Sequence, residues 1–164
     1  MTSPNPRDHA APDPDPHEDR RGLLVLRPSP AERLDFRVSL TGTAHCAIDA
    51  APAPATPPVA VTPPVAVTMT VTYVPDRTVL DPAAVPAYMA ALETTVWPGL
   101  EALGVAILDD MNNEVVPRWL RVSLRAGAQA VDLVDSQPGW IDRRGLTVLP
   151  ASAPSAPSAR AEGS

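Results

Sequence analysis

The chain contains no lysine, and all thirteen of its basic residues are arginine. The absence of lysine excludes Schiff-base chemistry and a lysine clamp on phosphate. A single cysteine, Cys46, excludes an internal disulfide and favours a reducing, cytoplasmic environment. The formal net charge of −6 argues against non-specific nucleic-acid binding, and no apolar run is long enough to span a membrane. We therefore expect neither nucleic acid nor a membrane among the partners.

Proline is abundant, and its 22 residues are concentrated in three stretches. Because proline removes a backbone donor and restricts φ, these stretches cannot form sheet ladders or helix interiors. The composition predicts a disordered tail over residues 1–33, a folded domain over residues 34–149 with a proline-rich insertion at about residues 50–65, and a second tail over residues 150–164. Aromatic residues make up only 4% of the chain, so subunit partners are expected to help bury its apolar surface.

Hydrophobic periodicity predicts the elements of the central domain. Alternation from Leu34 to Leu40 and a run of β-branched residues from Val67 to Val74 are typical of strands. One helix is predicted after Asp81, and a second from Trp97 to Pro117, with the adjacent Asp109 and Asp110 on its solvated side. Two further strands follow, over residues 118–125 and 128–134, and a short closing element over residues 139–149. The pattern predicts an α+β fold, in which two helices cover one face of an antiparallel sheet.

Three short motifs point to a known family. Y-V-P-D begins at Tyr73, I-L-D-D-M begins at Ile107, and P-R-W-L-R-V begins at Pro117. Over residues 73–122 the chain resembles the NADPH-dependent 7-cyano-7-deazaguanine reductases, the nitrile reductases of the T-fold (tunnelling fold) superfamily. A weaker resemblance upstream ends at Cys46.

The resemblance implies a T-fold module, with the order β-β-α-α-β-β, and a homo-oligomer whose sites lie between subunits. It also implies reduction of the nitrile of 7-cyano-7-deazaguanine to an aminomethyl group, with NADPH as cofactor, on the queuosine route to a modified tRNA base. In that chemistry a cysteine thiolate adds to the nitrile, and the resulting thioimide accepts hydride.

The resemblance carries three roles to residues of this chain. Cys46 falls at the position of the nucleophile, although a lone cysteine is also commonly a buried, inert apolar residue. Asp49 is the only acid near the position of the proton donor, or it makes a local turn at the start of a loop. Glu101 falls where the family binds the purine edge, or it is an acid favoured by the helix dipole.

The chain departs from the family at the cofactor motif. The family's two lysines are absent from residues 81–86, where this chain reads D-P-A-A-V-P, and Arg77 or Arg125 are the candidate substitutes. These departures keep a second function open. In it, the chain is a catalytically impaired T-fold subunit that binds a purine- or pterin-like base, or that pairs with an intact homologue.

Overall fold

The computed structural model of the protein describes residues 20–48 and 63–148. Long strands and helices follow one another in these ranges much as the periodicity predicts. In chain order the elements are β1 (Leu26–Pro28), β2 (Val38–Ile48), β3 (Val65–Val74), β4 (Thr78–Leu80), a 3-10 turn (Pro82–Ala84), α1 (Val85–Glu93), β5 (Val96–Trp97), α2 (Leu100–Glu114), β6 (Trp119–Ala126) and β7 (Gln129–Ser136).

The main sheet has five strands, in the order β5-β2-β3-β6-β7. The four long strands pair antiparallel, whereas the short β5 runs parallel to the end of β2, at Ala47 and Ile48. Both helices pack on the same face of the sheet, α1 over β2 and α2 over β6 and β7. The predicted α+β class is therefore confirmed, and the long elements follow the β-β-α-α-β-β order of a T-fold module.

The core lies between the sheet and the two helices. Along β3, Val67, Met69 and Val71 are buried on the helix side, while Thr68 is exposed on the opposite side. Each fully buried side chain of this size contributes about 1.5–3 kcal/mol. Helix α2 buries its apolar stripe against the same core, through Leu100, Leu103, Ile107 and Met111.

The folded part of the chain begins earlier than composition indicates. Leu24 is buried in the core, and β1 pairs with β4, although Leu24 and β1 both lie within the predicted tail of residues 1–33. The first long strand starts at Val38, and Leu34, its predicted start, is 51% exposed. The high proline content suggested a tail without strands, and this was wrong for β1. Both strands of a two-stranded sheet are edge strands, where the missing N–H of Pro28 costs little stability.

The segment after β7 contains neither a helix nor a strand up to Val148, contrary to the predicted closing element. Instead, the carboxylate of Asp142 accepts hydrogen bonds from the backbone N–H groups of Leu146 (2.9 Å) and Thr147 (2.8 Å). The bond from the Thr147 N–H is the main reason that the pKa of Asp142 is lowered to about 2. Arg37 donates to the carbonyls of Leu146 and Val148, which holds this turn beside the start of β2.

Three stretches lie outside the described residues: 1–19, 49–62 and 149–164. They include Asp49, most of the predicted insertion, the second predicted tail and the greater part of the first. No helix in the two described ranges has both the length and the hydropathy to cross a membrane.

Candidate functional site

Cys46 lies on the helix side of β2, with 0% of its surface exposed. The space around the sulfur has no room for a water molecule, and its lining includes Leu92, Leu103 and Ile107. Burial, assisted by the negative charge of Glu93, raises the pKa of the Cys46 thiol to about 11. Near neutral pH Cys46 is therefore a protonated thiol in a dry core. These are the surroundings of a buried, inert cysteine, which the sequence left open as the alternative to a nucleophile.

The neighbour of Cys46 in sequence points the other way. His45 has a side chain that is 66% exposed, as expected from the alternation of side chains along a strand. Its backbone N–H donates to Oε1 of Glu93 at 2.7 Å, so the acid at the end of α1 is held against the edge of β2. Asp49, the predicted proton donor, is outside the described residues, and Glu93 is an acid near the thiol that the sequence did not single out.

Glu101 is an exposed acid in the first turn of α2, the position expected of an acid that the helix dipole favours. Its Oε1 accepts a hydrogen bond of 3.1 Å from Nε2 of Gln129, the first residue of β7. Its Oε2 lies beside Gly99, where a Cβ atom would be only 3.0 Å away. Among the described residues no donor reaches Oε2, so Gln129 holds one carboxylate oxygen and the other has no hydrogen-bond partner there.

The close approach of α2 to the sheet determines where Glu101 lies. A Cβ on Gly104 would be 2.8 Å from Cδ1 of Leu133 in β7, and 3.3 Å from Cδ1 of Leu124 in β6. The glycine therefore lets the start of α2 lie directly over β7, the outer strand of the sheet. As a result, the Glu101 carboxylate is at one border of the sheet, whereas Cys46 faces the core from β2, near the opposite border.

A single copy thus does not bring the two predicted site residues together. The two arginines that could replace the family's lysines also lie in different parts of the fold. Arg77 is in the turn between β3 and β4, and Arg125 is near the end of β6. Asp81, in the stretch that replaces the family's cofactor motif, caps the 3-10 turn by accepting from the N–H of Ala83 at 3.0 Å. Within residues 20–48 and 63–148, no group of His, Cys, Asp and Glu side chains has an arrangement that could hold a metal ion.

Sequence reasoning missed a buried polar cluster at the other end of α2. Asp110, predicted to be solvated, is only 3% exposed and accepts two hydrogen bonds from Arg20, at 2.6 and 3.0 Å. It also accepts a bond of 2.7 Å from the hydroxyl of Tyr88, and the Arg20 guanidinium lies 5.5 Å from the ring centre of Trp97. Burial in this cluster, and the charge of Asp110, raise the pKa of Tyr88.

A signal for the cluster was present in the helix period. Asp110 is three residues after Ile107 and seven after Leu103, and therefore falls on the apolar stripe of α2. A carboxylate in that position requires a buried donor. Its main donor, Arg20, comes from the segment that composition assigned to a disordered tail, so the pairing could not be read from α2 alone.

Comparison with models of protein families gives no match, and neither does comparison with curated proteins. Among solved structures, the chain is similar to that of the archaeosine synthase QueF-Like in the apo form. The two are 17% identical, with a TM-score of 0.48, and the overlap covers 64% of this chain and 96% of the other. A likeness at this level assigns neither an activity nor a residue role to this chain.

Proposed function

We propose that this protein is a T-fold-like subunit that binds a purine-like base without forming a covalent bond to it, and that Glu101 is the residue that recognises the base. The observation that carries the proposal is the contrast between the two predicted site residues. Glu101 is exposed, with one oxygen open to a donor, while Cys46 is fully buried and has a raised pKa. The first residue can meet a ligand as it stands, and the second cannot.

The chemistry of a carboxylate suits this ligand. A 2-aminopyrimidinone edge, as in guanine and 7-deazaguanines, presents adjacent N–H donors, and a carboxylate accepts them with charge-assisted hydrogen bonds. Gln129 fixes the carboxylate of Glu101 through Oε1, which lowers the entropy lost when a base binds. In keeping with the family that the sequence resembles, we place this site between the subunits of a homo-oligomer.

The second candidate function is the nitrile reduction that the motifs around residues 73–122 suggest. It requires Cys46 as a thiolate in contact with the nitrile, an acid such as Asp49, and NADPH held without the family's lysines. Burial of the thiol opposes the first requirement. The resemblance supports this reading, and the geometry of Cys46 supports the non-covalent one.

Calorimetric titration with guanine and with 7-cyano-7-deazaguanine tests the proposal. We expect binding to the unmodified protein, and a loss of about 10- to 100-fold in affinity in Glu101→Gln, because a charge-assisted hydrogen bond contributes about 1.5–3 kcal/mol. Asp109→Asn, an exposed acid on the same helix, is the matched control and should bind normally.

Intact-mass measurement after incubation with 7-cyano-7-deazaguanine separates the two functions. The non-covalent proposal expects no adduct, and expects Cys46→Ala to bind the base as tightly as the unmodified protein. An adduct that disappears in Cys46→Ala would replace the proposal with the reductase reading. Failure of folded protein to bind either base up to the solubility limit of that base would refute base recognition by Glu101.

A further inference from the structure

Residues 81–86, which replace the family's cofactor motif, form one wall of a groove. The groove lies between α1 and β2, has a volume of about 450 Å³, and includes Pro82, Val85 and Pro86 in its lining. Strand β2 supplies the other wall, around Gly42. This volume is within the range of ligand-binding sites, so the chemistry of the lining decides which ligands the groove admits.

The lining of the groove carries one charged side chain, and it is an acid. Among the described residues that border the groove there is no arginine, lysine or histidine. The acid is Glu93, at the end of α1, whose Oε1 accepts a hydrogen bond of 2.7 Å from the backbone N–H of His45. The exposed ring of His45 comes within 3.9 Å of that oxygen but does not line the groove. A phosphate in the groove would therefore meet a fixed negative charge, with no cation in the lining to offset it.

The arginines that could replace the family's lysines do not line the groove. Arg77 lies in the turn before β4, and Arg125 lies on the sheet face opposite the helices, because its neighbour Leu124 is buried in the core on the helix side. A third arginine, Arg27, does reach the stretch, where it donates to Oδ2 of Asp81. Its charge is therefore offset by an acid of the stretch itself.

The start of a helix can also bind phosphate, through its backbone N–H groups. In residues 82–86 each of these groups is either missing or already used. Pro82 and Pro86 have no N–H. The N–H of Val85 donates to the carbonyl of Pro82.

Asp81 uses the two N–H groups that are left. Its carboxylate accepts a bond of 3.0 Å from the N–H of Ala83, and its carbonyl accepts a bond of 3.0 Å from the N–H of Ala84. The first bond, together with Arg27, lowers the pKa of Asp81, so the group is ionised near neutral pH. A carboxylate of the chain itself thus occupies the position where an anionic ligand would bind at this helix start.

We infer that this protein does not bind NADPH, because the groove at residues 81–86 repels phosphate and offers it no donor. NADPH carries about four negative charges near neutral pH, all of them on phosphate groups. The inference is independent of base recognition by Glu101, which lies at the opposite border of the sheet. It counts against the second candidate function, because nitrile reduction needs NADPH as the source of hydride.

Equilibrium dialysis of the full chain against NADPH tests the inference. We expect no saturable binding to the unmodified protein up to about 1 mM NADPH, at an ionic strength of about 0.15 M. Saturable binding below that concentration would overturn the inference, and would restore NADPH to the candidate reductase. Titration with guanine decides the proposed function separately, since none of the groove residues belongs to the site at Glu101.

A variant with a cationic groove supplies the positive test. The groove variant, Pro86→Lys/Ala90→Lys/Glu93→Gln, removes the acid and adds two cations at exposed positions of the lining. We expect it to bind NADPH with a Kd of about 100 μM or lower, because a charge-assisted contact to phosphate raises affinity by about tenfold or more.

A control variant separates the groove from the net charge of the protein. Ala87→Lys/Ala128→Lys/Asp109→Asn changes the net charge by the same amount, at exposed positions outside the lining. It should bind NADPH no more tightly than the unmodified protein does. Equal affinities in the two variants would show that the groove does not control binding. No gain in a groove variant whose circular dichroism is unchanged would likewise refute the inference.

Discussion

The two ends of α2 each carry an acid, and the structure uses the two in different ways. Near the end of the helix, Asp110 is buried and holds Arg20 and Tyr88. At the start, Glu101 is exposed and is held by Gln129 through only one oxygen. A carboxylate whose acceptors are all used inside the protein stabilises the fold, and one with an acceptor left over at a sheet border is available for binding.

The largest expected effect is at the buried end. Asp110→Ala removes the bidentate partner of a buried guanidinium and the acceptor of the Tyr88 hydroxyl, so we expect a loss of about 3–5 kcal/mol in the free energy of unfolding. Urea unfolding measures it, with the exposed Asp109→Ala as a control that should change stability by less than about 0.5 kcal/mol. Equal effects in the two variants would remove the distinction between the buried and the exposed acid.

Cys46 gives a pH-dependent effect. Its pKa is about 11 in the folded protein and is lower in the unfolded chain, so the unfolded state loses its proton first as pH rises. Its stabilising contribution is complete below the pKa of the unfolded chain, and is lost as pH rises through the folded pKa. Relative to Cys46→Ala, the unmodified protein should therefore lose about 2–3 kcal/mol between pH 8.5 and 11. Rapid labelling of the native protein by a thiol reagent at pH 7 would show instead that the thiol is accessible.

Gly104 determines how closely the start of α2 approaches β7. In Gly104→Ala, the new methyl group meets Leu133 and Leu124, and the cost of overpacking exceeds the gain in helix propensity, giving a net loss of about 1 kcal/mol. The double variant with Leu133→Ala makes room for the methyl group and should show a favourable coupling between the two sites. A stabilising Gly104→Ala would mean that α2 tolerates a larger distance from β7.

The smallest expected effect is at Glu101 itself. Because its side chain is exposed and makes one hydrogen bond, Glu101→Gln should change the free energy of unfolding by less than about 0.5 kcal/mol. Thermal unfolding of Glu101→Gln and of Asp110→Asn measures the effect of an acid-to-amide change at an exposed and at a buried position of the same helix. A loss at Glu101 as large as that at Asp110 would indicate a structural role for both acids.

Much of the fold follows from local pattern. Strand β3, the apolar stripe of α2 and the strands after Pro117 all lie near their predicted positions, because periods of two and 3.6 residues report which side of an element is buried. Strand β2 shares only residues 38–40 with the predicted alternation. The position of Glu101 near the start of its helix was also predictable from the sequence, but its exposure was not. The position of β1 was not, because its partner β4 lies about fifty residues further along the chain.

By itself, the sequence determined the order of the long elements, the face that each presents to the core, and the residues with the chemistry to bind or react. Only the tertiary structure decided which of them can do so. Packing α1 over β2, with Leu103 and Ile107 of α2 beside the sulfur, buried Cys46 and raised its pKa. Pairing with Arg20 used the acceptors of Asp110, and the approach of α2 at Gly104 placed Glu101 at a border of the sheet. The accessibility of a side chain and its pKa depend on contacts between distant parts of the chain, which a local pattern does not contain.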